Sequence, residues 1–141
     1  MVLYTPEQLE DMLWYFAHPY TVKDKDGREN HQGEHANFIQ ACTKTSELIK
    51  RGFNVYSPIA HTHPVHIIEP QFIKNEEYKL WVRLDNLIID KTNFKGIILA
   101  PRWETSGGCN GEREKFEKRN LQVLLYNDII KDQPILYDVS H

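Results

Sequence analysis

The sequence predicts an α/β fold, a parallel sheet of four to five strands in the order 2-1-3-4-5 with helices on both faces. Three observations lead there. Apolar runs without alternation, Met12-Leu13-Trp14-Tyr15-Phe16-Ala17 and Gly96-Ile97-Ile98-Leu99-Ala100, suit strands covered on both faces, as parallel strands are. Segments of helical spacing separate these runs, and right-handed crossovers turn such an alternation into a parallel sheet. After the third run come three glycines within five residues, Gly107, Gly108 and Gly111, leading into the charged segment Glu112 to Arg119. A glycine-rich turn between a strand and a helix is where sheets of this kind keep their ligand.

Taken in order, Thr5 to Glu10 reads as a cap and a helical turn with Pro6 at the first helical position. Met12 to Ala17 is the first strand, ended by His18-Pro19-Tyr20. Val22 to Glu34 is polar throughout, carries the turn signal Asp26-Gly27 and reads as a mobile loop. From His35 the spacing is helical, with Ala36, Ile39, Cys42, Ser46 and Ile49 on one side and Arg51-Gly52 as the stop. Phe53 to Ser57 is the second strand. Pro58, Pro64 and Pro70 then punctuate a stretch read as irregular, which contains His61, His63 and His66. Asn75 to Asp90 returns to helical spacing through Leu80, Trp81, Leu84, Leu87 and Ile88. Gly96 to Ala100 is the third strand, Glu112 to Arg119 a short helix, Leu121 to Tyr126 the fourth strand and Ile135 to Asp138 a short fifth.

A chain of 141 residues fits a single domain, residues 1–141. Its net charge of −3 comes from 17 basic and 20 acidic residues mixed along the chain, which leaves no broad basic footprint for polymeric nucleic acid or an anionic membrane. No apolar run has the length of a membrane span, and Met1 to Gln8 lacks the features of a secretory leader, so a cytoplasmic protein is expected. Cys42 and Cys109, outside any CxxC spacing, are read as reduced thiols.

With the order 2-1-3-4, the direction of winding reverses between the first and third strands, so Tyr15 and His18 should face Ser106 and Glu112 across a crevice. The glycines are expected to take positive φ and to free amide N–H groups for an anion. Glu112 is expected near the first turn of its helix, where the dipole favours its ionised form.

These segments resemble a known pattern. Tyr15-Phe16-Ala17-His18-Pro19-Tyr20 is similar to the Y-[LF]-A-x-P end of the first strand in the nucleoside 2-deoxyribosyltransferase-like superfamily, which includes the deoxynucleoside 5′-monophosphate N-glycosidases. Ser106-x-Gly108-x-x-x-Glu112 resembles its S/D-x-G-x-x-x-E signature, whose glutamate is the nucleophile, and Asp85 matches the position of an aspartate that assists the leaving base. Gly52 to Pro58 and Trp103-Glu104-x-Ser106-x-Gly108 look most like the superfamily's small uncharacterised members. The resemblance runs from about residue 12 to 126. Two features depart from it: the transferases carry Asp where this chain has Ser106, and the monophosphate hydrolases have a Gly- and Arg-rich loop where this chain has a longer charged one with Arg28 as its only arginine.

The resemblance implies a flavodoxin-like (Rossmann-like) fold, no cofactor, a homodimer or higher homo-oligomer, and a hydrolase or transferase acting on the N-glycosidic bond of a (deoxy)nucleoside or nucleoside 5′-monophosphate. Glu112 would attack C1′ through an oxocarbenium-like transition state, and water or a second base would capture the glycosyl ester. Tyr15 would orient Glu112, and Asp85 would protonate the departing base. Ser106, with the amides of Gly107 and Gly108, would hold a phosphate or sugar hydroxyl, Trp103 would wall the base, and His18 and Pro19 would flank the substrate. Each residue also has an ordinary role: a helix-start carboxylate for Glu112, a core aromatic for Tyr15, a solvated helix residue for Asp85, a hydrophobic lid for Trp103. The rival reading is a non-catalytic nucleotide or nucleotide-sugar binding module. His61, His63 and His66 suggest Zn²⁺, but no acidic residue adjoins them in sequence and no metal is expected. Cys109 lacks a base to activate it.

Overall fold

Alternation along β1 (Leu13–Ala17) builds two cores, because successive strand residues point to opposite faces of a sheet. Trp14 and Phe16 join Leu9, Leu48, Phe53, Ile98 and Ile129 on one side. Tyr15 and Ala17 join Ile89, Phe94, Ile97, Cys109 and Phe116 on the other. The computed structural model describes residues 3–69 and 77–137. In it β1, β2 (Asn54–Tyr56), β3 (Gly96–Leu99) and β4 (Gln122–Leu125) form one parallel four-stranded sheet in the order β2-β1-β3-β4. This is the flavodoxin-like α/β arrangement expected from the sequence. Gly96 is fixed by close approach, since an added Cβ would lie 2.2 Å from the Gln122 carbonyl oxygen on β4.

Helices α1 (Pro6–Glu10), α2 (His31–Lys50) and α6 (Tyr126–Asp132) supply Leu9, Leu48 and Ile129 to the first core. Helices α4 (Glu77–Lys91) and α5 (Gly107–Lys118) supply Ile89, Cys109 and Phe116 to the second. Helix α3 (Pro58–Ile68) lies against α2. Among the described residues no helix is long and apolar enough to cross a membrane.

Several elements differ from the sequence reading. The polar segment expected to run as a loop to Glu34 ends at Asn30, whose side chain accepts from Gly33 N at 2.9 Å and starts α2 four residues before His35. Ahead of that cap, Lys23 bridges Glu29 antiparallel around a turn in which Asp24 Oδ1 accepts from the amides of Asp26 and Arg28 and Gly27 takes φ 76°. The buried residues of α2 are Glu34, Asn37, Ala41 and Leu48, while Ile39 and Ile49 of the expected face are about half exposed. Polar residues that face a cavity hide the inner face of a helix from hydrophobic periodicity.

The stretch from Pro58, expected to be irregular, is helical to Ile68. Pro58 occupies a first-turn position, where its missing N–H costs nothing, and Pro64 is carried inside the helix, where packing against α2 offsets one lost bond. Pro70 lies outside the described residues. No fifth strand forms over Ile135–Tyr137; the amides of Leu136 and Tyr137 instead donate to the Lys50 carbonyl at 2.8 and 2.9 Å, closing the end of α2. Asp138 lies outside the described residues.

Candidate active site

The carboxyl ends of β1 and β3 open into a cavity of about 950 Å³, walled by the start of α5, by α4, and by the segment that precedes α2. His18, Trp81, Asp85, Arg102, Ser106 and Glu112 all line it. This is the crevice that the reversal of winding creates between β1 and β3.

Helix α5 starts earlier than the sequence suggests. Ser106 is its N-cap, with Oγ accepting from Cys109 N at 3.2 Å, so Glu112 sits in the second turn and not at the dipole-favoured start. The glycines do not take positive φ either; Gly107, Gly108 and Gly111 are helical, and the left-handed residue of this turn is Arg102, at φ 71°. A Cβ on Gly107 or Gly111 would meet nothing within 4 Å, and one on Gly108 only Ser106 Oγ at 3.8 Å. Protein packing therefore does not demand these glycines. What their missing side chains leave open is cavity space, since all three line it.

Glu112 carries a partly buried hydrogen bond. The hydroxyl of Tyr15, at the centre of β1, donates to Glu112 Oε2. Tyr15 is held by an edge contact with Phe94 and tilted contacts with Tyr56 and Phe116, its ring centroid 5.5 to 5.9 Å from theirs. Burial raises the Glu112 pKa to about 8, with the Tyr15 hydrogen bond pulling it down and the charge of Asp85 pushing it further up. Tyr15 titrates well above its usual range because it is buried and because the Glu112 charge lies beside it.

Asp85 lies four residues after Trp81 on α4, and both side chains face the cavity. Burial lifts the Asp85 pKa to about 6, and its buried Oδ1 has no hydrogen-bond partner among the described residues. Asp90, one residue from the end of the same helix, is exposed on an outer groove of α4.

His18 and Pro19 line the cavity together. His18 Nδ1 donates to the Pro19 carbonyl at 2.7 Å, and Nε2, buried without a hydrogen-bond partner, is left as an acceptor. Burial lowers the His18 pKa to about 4, so the ring is neutral at physiological pH. Trp103 is not among the cavity-lining residues: it packs on the second core with the Arg113 guanidinium 5.3 Å from its ring. The tryptophan on the cavity wall is Trp81, because the turn after Arg102 rolls Trp103 inward. Cys109 is buried and its thiol is pushed up to about 12 by that burial, which removes it as a nucleophile.

The histidines separate. His63 bonds the Tyr20 hydroxyl at 2.7 Å through Nδ1 and His35 at 3.0 Å through Nε2. His66 Nδ1 pairs with Glu77 Oε1 at 2.7 Å, and its Nε2 lies 3.6 Å from Glu29 and 3.9 Å from Glu34. The acidic partners that no adjacent sequence offered come from two other segments, the start of α2 with the turn before it and the start of α4. Arg102 was equally invisible as a site residue; it reaches Asn37 Oδ1 at 3.3 Å and Gln40 Oε1 at 3.2 Å from the cavity rim.

The profile of a protein family described as Domain of unknown function (DUF1937) matches residues 13–128. The chain belongs to this family. The match takes in the cavity lining from Ala17 to Lys115, with Tyr15 behind it, so the DUF1937 region and the candidate site coincide. No curated protein matches the sequence at a significant level.

Proposed function

We propose that this chain cleaves or transfers the N-glycosidic bond of a (deoxy)nucleoside or nucleoside 5′-monophosphate, with Glu112 as nucleophile. The observation that carries the reading is the paired arrangement of Glu112, oriented by Tyr15, and Asp85, whose buried Oδ1 awaits a partner, on the walls of one cavity. The resemblance to the nucleoside 2-deoxyribosyltransferase-like superfamily supplies the reaction class. The Glu112 carboxylate forms a bond to C1′ as the C1′–N bond breaks, and the electron pair leaves on the base nitrogen. Asp85, protonated below about pH 6, gives that nitrogen its proton. Water, or the nitrogen of a second base, then displaces the carboxylate from C1′. Trp81 offers a face for the base, and the free amides at the start of α5, with Arg102, suit an anionic group on the sugar.

The binding-module reading draws on a different observation: burial holds Glu112 protonated near neutral pH in the free protein, as suits a hydrogen-bond donor to a ligand. Chromatography of a panel of ribo- and deoxyribonucleosides and their 5′-monophosphates, with and without an acceptor base, separates the two. Free base from a subset, lost in Glu112→Ala, supports the enzyme. Retained turnover in that variant removes Glu112 from the chemistry, and no release from any substrate favours the binding module.

A further inference from the structure

Four side chains that the glycosidase chemistry does not use converge beside the cavity. Glu29 comes from the turn before α2, His31 and Glu34 from the first turn of α2, and His66 from the last turn of α3; one ligand atom from each lies within 4.8 Å of the others. His31 stands 3.5 Å from Glu34 Oε1 and 3.7 Å from Glu29 Oε2, and His66 Nε2 3.6 Å from Glu29 Oε1. Ligand atoms around a tetrahedral zinc stand about 3.4 Å apart, given metal–ligand bonds of about 2.1 Å, so a set that lies within 4.8 Å draws inward to close on an ion.

Two further observations point into this cluster. Glu34 has 0% of its side chain exposed, and its Oε1 has no hydrogen-bond partner among the described residues. Neither Glu34 nor Glu29 is within salt-bridge distance of a lysine or arginine among the described residues. His66, 9% exposed, has an unpartnered buried Nε2. Its Nδ1 donates to Glu77, which also accepts from Trp81 Nε1 at 3.1 Å, and this orients the ring with Nε2 toward Glu29 and Glu34. Two carboxylates and an imidazole nitrogen thus converge on one point, an arrangement that suits a cation, and a carboxylate behind a histidine is the usual support of a metal-bound imidazole. His63 is not available for the same role, because both its nitrogens are engaged by Tyr20 and His35.

We propose that Glu29, His31, Glu34 and His66 bind a divalent transition-metal ion, with Glu77 orienting His66. Two imidazoles and two carboxylates suit Zn²⁺ over Mg²⁺ or Ca²⁺, which favour all-oxygen sites. Glu29, His66 and Glu77 also line the cavity, so the ion forms part of its wall and ties the turn before α2 to α2 and α3. The site is independent of the glycosidase reading, and its test needs no turnover.

Metal-stripped protein is titrated with zinc by calorimetry, and zinc retained after gel filtration is counted. One ion per chain is expected, and cobalt(II) in its place should give the intense visible bands of a four-coordinate site. His66→Ala and Glu34→Gln should each weaken zinc binding at least 100-fold, and Glu77→Gln by roughly 10–100-fold. Glu29→Gln changes a partly exposed side chain, leaves the circular dichroism spectrum intact and should also weaken binding, while His35→Ala should not. Absence of stoichiometric zinc, or an affinity unchanged in both Glu29→Gln and His66→Ala, overturns the proposal.

Discussion

The hydroxyl of Tyr15 donates to Oε2 of Glu112, joining the middle of the central strand to the second turn of α5 across 97 positions of sequence. Tyr15 is fully buried and is not among the residues that line the cavity. It acts on the site through Glu112, opposing the burial that raises the pKa of that carboxyl. It is therefore a positioning residue, placed behind the cavity wall.

Tyr15→Phe removes this bond while keeping the ring. A hydrogen bond to a charged group contributes about 1.5–3 kcal/mol, so kcat should fall roughly 10–100-fold with KM little changed. Without the donor the Glu112 pKa rises, and the limb of the pH–rate profile near pH 8 should move to higher pH. A limb that stays in place would reduce Tyr15 to a packing residue.

Glu112→Gln should stabilise the protein at neutral pH while abolishing turnover. The folded pKa of about 8 lies above the ordinary value of 4.5, so the folded state binds the proton more tightly. The stability this contributes is complete below about pH 4.5 and is lost as pH rises through about 8. Glutamine does not titrate, so the variant should gain over the wild type across that window. With solvent reaching part of the carboxyl, the gain is on the order of 1–3 kcal/mol above pH 8. Urea denaturation at pH 5 and pH 8 measures it, and an equal difference at both pH values would falsify the linkage.

The pH dependence of kcat/KM should be bell-shaped, with limbs near the values of about 6 and about 8 that burial imposes on Asp85 and Glu112. A nucleophile that ionises above its acid partner leaves only a small fraction of the enzyme active at any pH. Asp85→Asn should abolish the descending limb and lower kcat for substrates with poor leaving bases more than for good ones. If both limbs survive in that variant, Asp85 is not the acid.

Gly111→Ala should separate stability from function. The added methyl meets nothing within 4 Å, and Gly111 lies inside α5, where alanine is better than glycine by roughly 0.5–1 kcal/mol. A rise in melting temperature of roughly 2–5 °C is expected. Because Gly111 lines the cavity, the same methyl should raise KM for the substrate. A variant both more stable and unimpaired would show that the ligand does not approach this turn.

The apolar runs of β1, β3 and β4 were legible because each strand is short, β-branched or aromatic, and bounded by turn residues. The site's main carboxylates, Glu112 and Asp85, were legible through the family resemblance, and the structure brings both to one cavity. The faces of α2 were not, since Glu34 and Asn37 are polar residues that point inward. The helicity of α3 was masked by Pro58 and Pro64, whose cost only contact with α2 offsets. Nor could spacing show that Trp81, and not Trp103, stands on the cavity wall, which depends on the left-handed turn at Arg102.

Local pattern by itself determined the strands and their parallel pairing, because strand burial and helix-long crossovers are properties of short segments, while the order β2-β1-β3-β4 that opens the crevice is a property of the folded sheet. Which side chains meet was decided by tertiary structure alone. Tyr15 reaches Glu112, and His66 reaches Glu29, Glu34 and Glu77, only after the sheet and helices have docked. Burial then sets the chemistry, since a carboxyl exchanges water for protein dipoles only when the chain around it has closed.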